Sequence, residues 1–72
     1  MIKISNEDRA FLIEIMPEAE QLLESDNMND ILIPLNEWIA MHGYTSEGDE
    51  AYVLTDLGRK VERIYDRIYY EN

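Results

Sequence analysis

Cysteine is absent from this 72-residue chain. That removes disulfides, thiolate nucleophiles and cysteine metal sites together. Positive charge is absent from most of its length. No lysine or arginine occurs from Ala10 through Gly58, while Glu14, Glu18, Glu20, Glu24, Asp26, Asp30, Glu37, Glu47, Asp49, Glu50 and Asp56 all fall there. Long apolar runs are also lacking. None approaches the ~20 residues of a membrane span. The opening Met1-Ile-Lys-Ile-Ser-Asn-Glu-Asp8 has no signal-peptide core. These absences lead us to expect a soluble protein kept in the cytoplasm.

What is present bounds the class. The chain is 46% hydrophobic with a formal charge of -10, so it reads as globular rather than disordered. Residues 1–72 make one small domain, near the lower limit for a self-sufficient core. Without staples, such a chain packs its helices well or gains stability by pairing. Four of the six basic residues, Arg59, Lys60, Arg63 and Arg67, crowd the last segment. An acidic body therefore ends in a helix with a basic stripe. A body of that sign repels phosphate backbones and attracts basic surfaces.

Local signals place the elements. Ile2 and Ile4 flank Lys3, an alternation that suits an edge strand. Ser5 precedes Asn6-Glu7-Asp8, a near capping box with acids in the first turn. Phe11, Leu12, Ile15, Met16, Ala19, Leu22 and Leu23 recur at helical spacing. Pro17 interrupts them, and its ring would clash with the Ile13 carbonyl in a straight helix. Either one helix kinks or two abut, and we favour a break or sharp kink. Asp26, Asn27 and Asp30 are alternative N-caps for the next helix, and a cap as late as Asp30 would put Pro34 in its first turn. Its inward stripe is Ile31, Leu35, Trp38, Ile39 and either His42 or Met41. Gly43 sits where a left-handed cap is expected. Gly43-Tyr-Thr45 and Ala51-Tyr-Val-Leu54 bracket a polar loop and read as a hairpin. Thr55 can cap the last helix, in which Leu57, Val61, Ile64 and Ile68 form a narrow coiled-coil-like seam.

The run Ile31 to Tyr44, followed by Glu50 to Arg59, resembles the second half of a winged helix-turn-helix domain. The likeness rests on a helix ending in Gly43, then Tyr52, Leu54, Thr55 and Gly58 in the pattern Tyr-x-Leu-Thr-x-x-Gly. The resemblance implies a mainly α fold with a small β-hairpin: winged-helix-like packing, with a long C-terminal helix. It does not carry DNA contacts over. The helix from Asp30 to His42 has no Lys or Arg, and the wing loop has Glu47, Asp49 and Glu50.

The chemistry-bearing residues point away from catalysis. Asp26-Asn-Met-Asn-Asp30 is faintly like a calcium loop, but Met28 stands at the third ligand position. We read it as a solvated helix cap and expect no metal and no cofactor. His42, near a helix C-terminus, has no recognisable nucleophile motif around it. Arg59, Arg63 and Arg67 share a helix face, with Tyr70 three residues beyond. The plain account is a solvated face partnered by Glu62 and Asp66. The functional account is a partner-binding surface of Arg59, Arg63, Arg67, Tyr65, Tyr69 and Tyr70, since arginine and tyrosine are enriched at binding hot spots. The expected function is a non-enzymatic acidic protein–protein interaction module whose partner has a basic surface, with the final helix also pairing two copies as a homodimer. The alternative is a dimeric winged-helix transcription regulator that binds DNA through Arg59, Lys60, Arg63 and Arg67.

Overall fold

The computed structural model describes residues 1–45 and 53–72. Among these residues four helices follow in order: α1 (Asn6–Ile15), α2 (Ala19–Leu22), α3 (Asn29–His42) and α4 (Asp56–Glu71). Each boundary has a local cause. The Ser5 hydroxyl accepts from the Asp8 N–H at 3.1 Å, with Glu7 and Asp8 in the first turn to complement the helix dipole. α1 stops because of Pro17. A residue before proline is forced out of the helical region, and Met16 sits at φ -146°, ψ 86°. The chain resumes as the single turn of α2, so the break at Pro17 separates two helices. The apolar phase survives the break: Leu12, Met16, Ala19 and Leu23 are all buried.

The joint between α2 and α3 is closed by its own polar side chains. Ser25 accepts from the Asn27 N–H at 3.1 Å and donates to Asp30. Asn27 Oδ1 accepts from the Asn29 N–H at 3.0 Å. α3 begins before Asp30, so Pro34 lies beyond its first turn. There its missing N–H leaves the Asp30 carbonyl without its usual intrahelical donor. At the other end Gly43 is not a left-handed cap, since its φ is -87°. A Cβ added at Gly58 would lie 2.3 Å from the Gly43 oxygen, so the bare Gly58 lets the start of α4 sit against the end of α3. Thr55 ties that crossing together. Its N–H and hydroxyl both donate to the Gly43 carbonyl, at 2.8 and 3.0 Å, and its Oγ1 accepts from the Gly58 N–H at 3.0 Å. The Thr-x-x-Gly motif is thus a helix cap and a contact point in one.

The core is one cluster in which α3 supplies Ile31, Leu32, Leu35 and Ile39, and α4 supplies Val61, Ile64 and Ile68. Ile2 and the α1–α2 stripe close it from the other side. Each such aliphatic side chain, fully buried, stabilises by roughly 1.5–3 kcal/mol before entropy is counted. No polar or charged residue is buried among the described residues.

The winged-helix-like expectation is corrected here. The molecule is mainly helical and does not support a winged-helix fold or its β-hairpin. Between Gly43 and Leu54, the described residues contribute only two antiparallel pairs, Tyr44 with Leu54 and Thr45 with Val53. Two rungs bridge the ends of α3 and α4 but are far too short to stand as a hairpin, which is marginal even at full length. Residues 46–52, where the expected wing loop falls, lie outside the described residues. The expected strand at Ile2-Lys3-Ile4 joins no sheet. Its backbone is satisfied elsewhere: the Ile2 N–H donates to the Leu23 carbonyl at 3.0 Å, and Lys3 exchanges two hydrogen bonds with the Asn72 side-chain amide, at 2.9 and 3.0 Å.

Candidate interaction surfaces

α4 places the arginines and tyrosines expected to bind a partner in three different environments. With Val61, Ile64 and Ile68 facing inward, 100° per residue puts Arg59, Arg63 and Tyr70 on the opposite side. All three are exposed, Tyr70 at 83%. Tyr69, 53% exposed, meets the Tyr70 ring edge-on with centroids 5.4 Å apart. Tyr65 is half-buried against the core and belongs to the packing. Arg67 is paired within the chain, at the surface. Its Nε and Nη2 donate to the two carboxylate oxygens of Asp8, both at 2.9 Å. That fork holds the Arg67 guanidinium above its ordinary pKa, the hydrogen bond to Asp8 being the main cause. Lys60 is engaged as well, its ammonium 4.0 Å from the centre of the Phe11 ring. Two of the four cations of α4 therefore clasp α1.

The seam is internal too. Val61, Ile64 and Ile68 are wholly within the core, and only Leu57, at 43% exposure, reaches the surface. Three buried members leave no coiled-coil stripe for a second chain. The expected helix partners Glu62 and Asp66 form no ion pair with Arg59 or Arg63 among the described residues.

α3 carries a surface that periodicity alone did not single out. Beyond its buried stripe, Ile33 is 60% exposed and Met41 76% exposed. They are eight residues apart with Glu37 midway, so the three stack along one outward line. Beside that line runs a cleft of about 190 Å³, lined by Met16, Pro34, Trp38 and Met41 and edged by Glu18, Glu37 and His42. Trp38 is half-buried, packed on the core by one side and open to the cleft by the other. Its ring lies 5.5 Å from that of His42, tilted by 48°. The break at Pro17 builds the far wall, because it turns Met16 and Glu18 toward α3. A legible signal existed: Ile31-Leu-Ile-Pro-Leu35 is apolar on every side of a helix, which a one-faced surface helix is not.

A second cleft, about 270 Å³, lies between the first turn of α1 and the end of α4. Lys3 and Arg67 line it with Glu7, Asp8 and Glu71, and Arg67 is paired with Asp8. It reads as the joint that holds the chain ends to α4. The Asp26–Asp30 segment is engaged in the hydrogen bonds of the α2–α3 joint, with Asp26 beside the Met1 ammonium. Among the described residues no three potential ligands converge on a metal site. Nor is any helix among them long and apolar enough to cross a membrane.

No protein-family model matches this chain, and neither does any curated protein or solved structure. The functional reading therefore rests on these surfaces.

Proposed function

We propose that this chain is a non-enzymatic protein–protein interaction module, acting in the cytoplasm on a partner with a basic surface. The observation that carries the reading is the outward face of α3. It exposes Ile33 and Met41 within a stretch from Ala10 to Gly58 that has no lysine or arginine. Singly exposed apolar side chains are ordinary, but here Met41 flanks a cleft that Trp38 also lines, and Glu18 and Glu37 beside it would select a cationic contact. DNA fits this surface poorly. α3 has no cation to meet phosphate, and of the α4 cations Lys60 and Arg67 already contact Phe11 and Asp8.

The test is a pull-down from native cell extract with identification of the retained protein. The wild-type chain is compared with a variant carrying Glu14→Lys, Glu18→Lys, Glu20→Lys and Glu37→Lys. The expected result is a retained partner with a basic surface, lost from the reversed-charge variant. Equal retention by both chains would count against the reading. So would a salt-sensitive, sub-micromolar gel shift with duplex DNA, which would promote a regulator in its place.

A further inference from the structure

We infer that the cleft between α3 and the Pro17 turn is the docking point itself, and that its occupant is a cationic amphipathic helix seating one large apolar side chain. This rests on the interaction-module reading and names where and what that module binds. Size is the first argument. At about 190 Å³ the cleft falls below the roughly 300–1,000 Å³ of small-molecule pockets. It admits an anchor side chain rather than a cofactor.

The lining is the second argument. Met16, Pro34, Trp38 and Met41 supply its apolar lining, among Glu18, Glu37 and His42. Trp38 and Met41 sit one helical turn apart on α3, so an incoming helix can lay an apolar residue between them. Methionines adapt to the shape of what they hold, and an aromatic gives it a rigid wall.

Charge is the third argument, and it chooses among occupants. Glu18 and Glu37 stand on opposite elements at the edge of the cleft, and no lysine or arginine lines it. An anchor flanked by lysines or arginines on both sides meets a carboxylate at each. A second copy of this chain is disfavoured, because each copy brings a formal charge of -10.

The experiment uses the full chain, isotope-labelled, at about 0.15 M salt. It is titrated with three synthetic helices of about four turns each. One is an amphipathic leucine–lysine helix. The second replaces every lysine with glutamate, and the third replaces every leucine with alanine. The expected result is that only the first binds, shifting the amides of Glu18, Glu37 and Met41 and changing the fluorescence of Trp38, the sole tryptophan. Met41→Lys should weaken that binding by about tenfold or more, the scale of a hot-spot loss. Met41 is 76% exposed, so the variant should keep its melting temperature. Arg63→Ala should bind as the wild type does.

Each of the following results overturns the inference. Equal binding of the alanine helix means bulk charge alone. Indifference to Met41→Lys, with shifts elsewhere, puts the contact on another face. Self-association that blocks the peptide makes a second copy the occupant. If none of the helices binds while the extract partner is still retained, the cleft is wrong and the broader reading stands. If the extract partner is missing too, both fall.

Discussion

Replacing Gly58 with alanine should damage this protein far more than the same change in an ordinary helix. An added Cβ would stand 2.3 Å from the Gly43 oxygen, 2.8 Å from its Cα and 2.9 Å from its carbonyl carbon. Carbon atoms in contact normally sit about 3.5–4.0 Å apart. All three obstacles are backbone, so no rotamer change relieves them. α4 must move away from α3 by about an ångström or more. The Gly43 oxygen also accepts from the Thr55 N–H and hydroxyl, at 2.8 and 3.0 Å, and that movement stretches both bonds. Overpacking costs about 1–3 kcal/mol and each weakened hydrogen bond about 1 kcal/mol. The helix propensity gained over glycine returns about 1 kcal/mol. The net is a loss of about 2–4 kcal/mol, against a total stability of roughly 4–11 kcal/mol for a chain this long. Thermal unfolding followed by circular dichroism should show a fall of roughly 8–32 °C. Glu62→Ala, at an exposed position of the same helix, should move the midpoint by no more than about 4 °C. An unchanged or raised midpoint for Gly58→Ala would refute the close-approach argument, since helix propensity would then be the only term at work.

Thr55→Val keeps the shape but removes both the cap and the hydroxyl bond to Gly43, and denaturant titration should report a loss of about 1–2 kcal/mol. Ile64→Ala opens a cavity at a fully buried site, and a loss of about 2–5 kcal/mol should leave the variant partly unfolded at 37 °C. The Asp26 carboxyl is held below the usual carboxylate range, mainly by its hydrogen bond to the Met1 ammonium and then by that group's charge. A carboxyl with a depressed folded pKa stabilises above its unfolded pKa and loses that contribution as pH falls through the folded value. An NMR titration should therefore find Asp26 low, and acetylating the Met1 amine should return it toward the ordinary range. Light scattering at tens of micromolar distinguishes the two expectations for α4. With Val61, Ile64 and Ile68 buried, we expect a mass near 8.5 kDa that Tyr69→Ala and Tyr70→Ala leave unchanged. A doubled mass abolished by those variants would establish the homodimer through the tyrosine flank.

The parts of this protein readable from sequence are those decided by neighbours in the chain. Ser5 and Thr55 cap their helices because a side-chain oxygen reaches an N–H three residues on. Pro17 breaks the first helix through its own ring and its effect on Met16. Val61, Ile64 and Ile68 face inward because their spacing is helical, and the long acid-only stretch is a fact of composition. What only the tertiary structure decided depends on residues far apart. Arg67 is forked onto Asp8, which lies 59 residues away in the chain but comes within 2.9 Å. Lys60, invoked only for DNA contact, lies over the Phe11 ring of α1. Thr55 and Gly58 looked like the signature of a winged domain, but serve the crossing of two helices at Gly43. The two short paired segments after α3 promised a hairpin by their composition, but backbone pairing needs more rungs than the described residues supply. The outward face of α3 shows the same limit from the other side. Periodicity says which residues a helix can bury, but only the placement of α1, α2 and α4 decided that Ile33 and Met41 would be left uncovered.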